Sequence, residues 1–149
     1  MIEIACQVMQ FALGDQQVDI SPIDQTTVEV NWSETCQMES RCVVLPRQAA
    51  DVSKAMRVIS FLGTKFAVHS GGHSPNPGSS SIGSEGILID LQRLRAVSLS
   101  CDRSDVTVGP GLCWGEVYSA LDADKVVVVG GRLPSVGVGG LILSGGYVQ

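Results

Sequence analysis

The sequence predicts one domain of the α+β class, in which helices and strands share a core around a sheet. Two observations support this class. Apolar residues recur at helical spacing in two segments, and short apolar runs typical of strands lie between them. The chain of 149 residues is long enough for one domain with its own core and is short for two.

Two helices are predicted from their apolar periodicity. The first begins near Gln48 and Asp51, which stand three residues apart, and it ends at Gly63, where a C-terminal cap belongs. Its apolar face, with offsets of 0, 3, 4, 7 and 10 residues, consists of Val52, Ala55, Met56, Ile59 and Leu62. The second helix has offsets of 0, 3, 4 and 7 and presents Trp114, Val117, Tyr118 and Leu121.

Strands are predicted where short apolar runs are bounded by turn-forming residues. These segments are residues 42–45, 65–69, 86–91 and 105–109, with a shorter strand at Thr27–Trp32 and a partly extended link at 93–102. The four consecutive valines of Val126–Val129 are typical of a fully buried strand. The rest of residues 1–40 shows no sustained period and is expected to form a leader segment that lies across the domain.

Composition and charge exclude several classes of protein. With a hydrophobic fraction of 44% and a charged fraction of 17%, the chain is expected to fold rather than to remain disordered. Ten Lys and Arg against fifteen Asp and Glu leave a formal charge of -5 and no basic run, so nucleic acid is not an expected partner. Gly, Pro or a charge interrupts every apolar stretch before about 18 residues, so no membrane-spanning helix is expected.

The five cysteines include no CxxC pair, so no structural metal site is predicted. If the chain is exported, a disulfide from Cys36 or Cys42 to Cys6 would tie down the N-terminal segment. The compartment stays open. The triplet Asn31-Trp32-Ser33 is a glycosylation acceptor in secreted proteins, whereas Glu3 stands where a signal peptide would carry a basic residue.

Two glycine-rich loops, residues 70–78 and 130–140, are the segments that point to a ligand. Glycine lets backbone N–H groups approach a pyrophosphate with no Cβ in the way. Neither loop has the GxGxxG spacing of a dinucleotide fingerprint, and no Gly-Lys pair of a Walker loop occurs in the chain. A nucleotide cofactor would therefore be held by a different fold, with His73 in the first loop.

From Cys42 to Tyr147, the order of these segments resembles one family. The strand, the Ser-Gly-Gly-His-Ser loop, Gly-Ile-Leu-Ile-Asp-Leu, Val-Thr-Val-Gly-Pro-Gly-Leu-Cys-Trp, the valine run and Val-Gly-Val-Gly-Gly are similar to FAD-linked oxidoreductases of the berberine bridge enzyme type, in the vanillyl-alcohol oxidase and p-cresol methylhydroxylase (PCMH) superfamily. The resemblance implies a PCMH-type FAD-binding domain over residues 41–149, with strands and helices in two small subdomains and an incomplete C-terminal part.

The resemblance also implies which residues bind FAD. The first loop would donate backbone and hydroxyl hydrogen bonds to the pyrophosphate, and the second would pass beside the pyrophosphate and the isoalloxazine. His73 would be the covalent anchor of the flavin, because a neutral imidazole is nucleophilic at pH 7. The full set of cofactor-binding residues is Ser70, Gly71, Gly72, His73, Ser74, Pro134, Ser135, Val136, Gly137, Gly139, Gly140, Gly145 and Gly146.

Two positions depart from the family pattern. His69 stands where relatives usually carry Arg, which weakens a charge contact. Leu133 stands where some members carry a cysteine that makes a second flavin bond, so single attachment is expected. Cys113 is read as a small buried residue at a helix start.

The function that the resemblance implies is hydride transfer from a substrate C–H bond to covalently bound FAD. The alternative is a non-catalytic remnant or binding module that retains the fold, and a third reading is an unrelated α/β domain whose glycines serve only tight turns. No catalytic residue and no small-molecule substrate can be named. The isolated chain is expected to be a fragment with little turnover, whose partner is a complementary chain that supplies the missing half.

Overall fold

A computed structural model describes residues 1–145 of the chain. Four strands form a sheet in the order β1-β2-β4-β3, with β1 antiparallel to β2, and β2 and β3 both parallel to β4. The strands are β1 (Val18–Ile20), β2 (Cys42–Val44), β3 (Lys65–His69) and β4 (Gly86–Asp90). Parallel neighbours bring the carboxyl ends of β3 and β4 to one edge of the sheet, where His69 pairs with Asp90.

Helices α1 (Ile2–Leu13) and α3 (Ala49–Leu62) pack on one face of this sheet. Their shared core is fully apolar and includes Ala5, Met9, Ala55, Ile59, Val44, Ile87 and Ile89. A disulfide joins Cys6 of α1 to Cys42 of β2. The N-terminal helix is thus attached to the sheet both by packing and by a covalent bond.

A second, smaller core lies around α4 (Trp114–Asp122). It is built with the antiparallel pair β5 (Val97–Leu99) and β6 (Val106–Val108) and with α5 (Val138–Ser144). The fully buried residues of this core are Leu112, Trp114, Val117, Leu121 and Val138. Helices and strands therefore form two small packed units, as the PCMH-type fold implied.

Most of the periodic elements are confirmed. The first predicted helix is α3, and Gly63 caps it in the left-handed conformation with φ of 60°. The second is α4, and the predicted strands at 42–45, 65–69, 86–91 and 105–109 correspond to β2, β3, β4 and β6. The partly extended link contains β5.

Two predicted strands are wrong. Residues 27–32 hold the end of a short helix, α2 (Gln25–Val28), followed by turns. The valine run 126–129 has no regular structure, and Val127 is 90% exposed because no strand in residues 1–145 pairs with it. In the described part of the chain, no helix combines the length and the apolar character that crossing a bilayer requires.

The segment expected to be a leader, residues 1–40, contributes regular structure to the main core. It contains α1, β1, α2 and a 3₁₀ turn at Glu34–Cys36. The disulfide uses Cys42, one of the two candidates for pairing with Cys6, while Cys36 keeps a buried free thiol.

Candidate functional site

The first glycine loop begins where β3 ends, at the carboxyl edge of the sheet. Gly72 adopts φ of 60°, a conformation that glycine tolerates and β-branched residues do not. A Cβ at Gly72 would overlap Nε2 of His69, and Gly72 accepts a hydrogen bond through its carbonyl oxygen from the Trp32 backbone N–H at 3.0 Å. Substitution of Gly72 would therefore disturb the loop itself before it disturbed any ligand.

The two glycine loops touch each other directly, although 65 residues separate them in sequence. A Cβ built on Gly71 would lie 2.5 Å from both Cα and N of Gly137. Ser70 Oγ donates to the carbonyl oxygen of Pro110, and Val138 donates its backbone N–H to Leu112. Such close backbone contact requires glycine at both positions. The hydrogen bonds to Pro110 and Leu112 hold both loops against the segment that precedes α4.

The two loops line one cleft with a volume of about 540 Å³. Nine of the predicted binding residues line it: Ser70, Gly71, Gly72, His73, Ser74, Val136, Gly137, Gly139 and Gly140. The remaining walls are mostly apolar and include Val68, Leu91, Pro110, Leu141 and Leu143. The cleft thus combines backbone polar groups with apolar surface, which is the usual character of a cofactor site.

Three predicted binding residues lie elsewhere. Pro134 packs against Gly115 at the start of α4. Ser135 lines a neighbouring cleft of about 420 Å³ together with His73, and Gly145 lines a third beside Trp114. Gly146 lies outside the described residues.

The loop offers donors that suit a phosphate group. Within residues 1–145, the backbone N–H groups of Gly71, Gly72 and His73 donate to no protein acceptor. All three residues line the cleft, so an anionic ligand such as a pyrophosphate would find backbone N–H groups nearby. The residues present therefore fit FAD in this respect.

His73 is held by an aromatic contact that the sequence analysis did not identify. Trp32 stacks on its imidazole with ring centroids 5.5 Å apart and an interplanar angle of 12°. Cys36 Sγ also donates to the backbone oxygen of Ser74 at 3.4 Å. The segment expected to be a leader therefore contacts the first glycine loop through Trp32 and Cys36. No signal in the sequence links Trp32 to His73, because the contact depends on the path of residues 25–40.

Asn31 of the glycosylation triplet is 6% exposed. Its Oδ1 accepts a hydrogen bond from Ser80 Oγ at 3.0 Å, and its backbone oxygen accepts one from Gln37 Nε2. A glycan needs an exposed acceptor nitrogen, so this fold does not favour glycosylation at Asn31.

His69 does not take over the charge contact expected of the arginine that it replaces. It is 1% exposed, and Nδ1 lies 3.5 Å from Asp90 Oδ1 beneath the loop. Among the described residues, Nε2 has no hydrogen-bond partner. Asp90 Oδ1 in turn accepts the backbone N–H of Gln92 at 2.8 Å, so this pair closes the ends of β3 and β4 rather than lining the cleft.

Cys113 is the N-cap of α4, as the sequence analysis placed it at a helix start. Its side chain accepts from the Glu116 backbone, and Glu116 Oε2 accepts the Cys113 backbone N–H at 2.8 Å in a reciprocal capping box. Burial, with the nearby Glu116 carboxylate, raises the pKa of the Cys113 thiol. A thiol that stays protonated is a poor nucleophile, which agrees with a structural role.

Comparisons with known proteins identify an FAD-binding domain in this chain. The FAD binding domain family matches residues 40–149. FAD-dependent monooxygenase yanF of Aspergillus niger is 48% identical over 126 residues, which are 85% of this chain and 22% of that protein. FAD-dependent monooxygenase macF of Penicillium terrestre is 48% identical over 123 residues, 83% of this chain and 24% of that protein. The chain thus spans about a quarter of the length of these curated relatives.

Solved structures show the same fold at lower identity. Wild-type BBE-like 1 of Physcomitrella patens superposes with a TM-score of 0.75 and 20% identity over 91% of this chain and 30% of that one. The grass pollen allergen Phl p 4, described with glucose dehydrogenase activity, gives a TM-score of 0.80 and 20% identity over 95% of this chain and 32% of that one. On the family match over residues 40–149, the chain belongs to the FAD binding domain family.

Proposed function

We propose that this chain is the cofactor-binding part of an oxidoreductase that removes hydride from a substrate C–H bond and that it carries FAD covalently on His73. The cleft where the two glycine loops meet carries this proposal. Its free backbone donors at Gly71, Gly72 and His73 suit the pyrophosphate, and its apolar walls suit an extended aromatic cofactor. Relatives that are named FAD-dependent monooxygenases support the same class of chemistry.

FAD would supply the hydride acceptor, and this chain would supply binding and orientation of the cofactor. The backbone N–H groups of Gly71 and Gly72 would hold the phosphate oxygens in place. Val68, Leu91 and Leu141 would pack against the apolar part of the cofactor. None of these side chains carries a charge, so binding depends on hydrogen bonds and burial.

His73 would be joined to the methyl carbon of the flavin. The imidazole nitrogen loses one hydrogen, the methyl carbon loses another, and an N–C bond forms. The two electrons and two protons released in this oxidation reduce dioxygen to hydrogen peroxide, which balances the reaction. Among the described residues, no side chain or backbone group hydrogen-bonds to the ring nitrogens of His73, so they are free to react.

The test is to express the 149-residue chain with flavin available and to precipitate it with acid. Yellow colour that stays in the pellet indicates covalent flavin, whereas noncovalent FAD remains in the supernatant. In His73→Ala the colour is expected to move to the supernatant while the fold persists, because a loop side chain adds little to core packing. Phe61→Ala, which removes an 89% exposed ring on α3, serves as the matched control and is expected to retain yellow pellets.

The outcomes also separate the proposed function from its rival, a domain that keeps this fold without flavin. Colour in neither fraction would favour the rival and contradict FAD binding. Colour only in the supernatant of the unsubstituted chain would leave FAD binding intact and contradict the covalent bond.

A further inference from the structure

Trp32 is an unusual residue to find 66% exposed, because an indole buried in a core contributes far more to stability. Its ring stacks on the imidazole of His73, with the two rings nearly parallel at 12° and their centroids 5.5 Å apart. Trp32 belongs to none of the apolar clusters of the described residues, and stacking on His73 is the aromatic contact that it makes there.

The position of Trp32 is set by its backbone. The Trp32 N–H donates to Gly72 O at 3.0 Å, and the preceding residue, Asn31, is buried and accepts from Ser80 Oγ. These hydrogen bonds do not involve the indole. A substitution at Trp32 can therefore remove the stacked ring while leaving the chain path beside the loop in place.

The stacked ring is also the contact that fixes the plane of His73. In the part of the chain that the structure describes, neither imidazole nitrogen is hydrogen-bonded, so no polar group orients the ring. Stacking acts on the face of an imidazole and leaves both nitrogens at its edge available. His73 lines the cleft of about 540 Å³ at the same time.

We propose that Trp32 is a positioning residue, which holds the imidazole of His73 in the plane needed to form its bond to the flavin methyl carbon. This inference rests on the proposed function. The bond joins an imidazole nitrogen to carbon, and the two protons and two electrons that are released pass to dioxygen, which becomes hydrogen peroxide. A ring that is free to turn spends less time in the reactive geometry, and misplacement of a reacting group by about 1 Å can slow a reaction about 100-fold.

The decisive experiment follows covalent attachment over time after FAD is added to the flavin-free chain. In Trp32→Ala the attachment rate at saturating FAD is expected to fall at least about tenfold, with the half-saturating FAD concentration unchanged. Trp32→Phe keeps an aromatic face and is expected to restore most of the rate. Phe61→Ala removes an exposed ring that lines neither of the clefts beside His73, and it is expected to match the unsubstituted chain.

A second readout needs no flavin. The indole ring current should displace the imidazole proton resonances of His73 upfield, and Trp32→Ala should return them downfield. The chain has two histidines, so the His73→Ala variant assigns the resonances. This measurement reports the stacking in solution independently of any reaction.

Each outcome bears on the inference. An attachment rate in Trp32→Ala equal to that of the unsubstituted chain, or a change confined to the half-saturating FAD concentration, would overturn the positioning role. Imidazole resonances that do not move in Trp32→Ala would overturn the stacking itself. If the unsubstituted chain forms no covalent flavin while the resonances shift as expected, the proposed covalent anchor fails, and with it the role of Trp32 in attachment.

Discussion

Gly140 is the residue at which the need for backbone approach can be tested most cleanly. A Cβ there would meet no protein atom within 4 Å, and Gly140 lines the cleft. By contrast, a Cβ at Gly71 or Gly72 would meet Gly137 or His69, so substitutions there would disrupt the two loops. Gly140 therefore separates an effect on the ligand from an effect on the fold.

Gly140→Ala is expected to change stability and affinity in opposite directions. Gly140 lies within α5, so alanine should raise the stability of the helix by up to about 1 kcal/mol. If FAD approaches this backbone, the methyl group should weaken FAD binding at least about tenfold, a loss of about 1.4 kcal/mol. Thermal unfolding and an FAD titration measure the two effects.

Gly83→Ala is the matched control for this substitution. Gly83 lines none of the clefts described above, and the atom nearest its added Cβ is the flexible end of Glu85. Its FAD affinity should equal that of the unsubstituted chain. Unchanged affinity in Gly140→Ala would show that FAD does not approach this part of the second loop.

At the same scale, the sequence predicted many of the residues that line the cleft. The glycines of both loops and His73 were recognised because their spacing resembles one family, and the structure brings nine of the thirteen predicted binding residues to one cleft. Trp32 was missed because its contact with His73 depends on tertiary structure. Pro134 and Ser135 were included with the loop, yet they face α4 and the neighbouring cleft.

Among the elements, α1 depends on a covalent tie. Cys6 and Cys42 are 36 residues apart, and a disulfide that closes such a loop typically stabilises a fold by about 2–4 kcal/mol. Cys6→Ser should therefore lower the free energy of unfolding by an amount in this range, measured in denaturant without reductant. Cys101→Ser alters an exposed free thiol and should leave it unchanged.

Counting thiols in the denatured, unreduced chain checks the same pairing. Three reactive thiols are expected, from Cys36, Cys101 and Cys113. Five would show that the disulfide does not form in the compartment where the protein was made.

The stability that the start of α4 gives to the fold should depend on pH through the Glu116 carboxyl group. The Cys113 backbone N–H, followed by Arg95, holds the pKa of the Glu116 carboxyl below its usual value. Because its pKa is lower in the folded state, the ionised Glu116 carboxylate contributes stability that is present above the ordinary Glu pKa of about 4.3. This stability is lost as the pH falls through the pKa of the folded state. Glu116→Gln keeps a capping side chain, so its stability should lack this acid-dependent loss.

Glu116→Ala removes both the cap and the ion pair with Arg95. It should cost about 1 kcal/mol at neutral pH, mostly from the cap because the exposed ion pair contributes little. Denaturant unfolding of the two variants at pH 7 and at pH 3.5 is the measurement. An identical pH dependence in Glu116→Gln and the unsubstituted chain would refute the role of the carboxylate.

The elements that the sequence missed have a common physical reason. Helix α1 buries Ala5 and Met9 but exposes Val8 and Phe11, so apolar residues occur on both of its faces. Helix α5 is rich in glycine, which disfavours helices, and it forms because Val138 is buried in the second core. The regular amphipathic pattern of α3 was readable because only one of its faces is buried.

At the scale of the whole molecule, the cleft is open on one side. Leu143 lines it yet is 90% exposed, and Ile142 beside it is 61% exposed. The chain also spans about a quarter of the length of its curated relatives. A flavin in an open cleft lacks the walls that orient a substrate and exclude water.

We therefore expect the isolated 149-residue chain to bind FAD and to show little or no turnover. Anaerobic flavin reduction by a panel of alcohols, aldoses and alkaloid-like amines is the measurement, and binding of a hydrophobic dye should report the exposed apolar surface. A complementary chain that supplies the remaining walls should raise the reduction rate and lower dye binding. Rapid reduction in the isolated chain would show that it already contains a complete active site.

The central claim is that the cleft between the two glycine loops holds FAD and that His73 bonds to it. Trypsin should release residues 66–93 as one peptide, which contains both His69 and His73. Fragmentation of this peptide by mass spectrometry is the most direct test, because it assigns the flavin to one side chain. We predict that the added mass lies on His73; a peptide without added mass, or flavin found on His69 or Cys113, would contradict the claim.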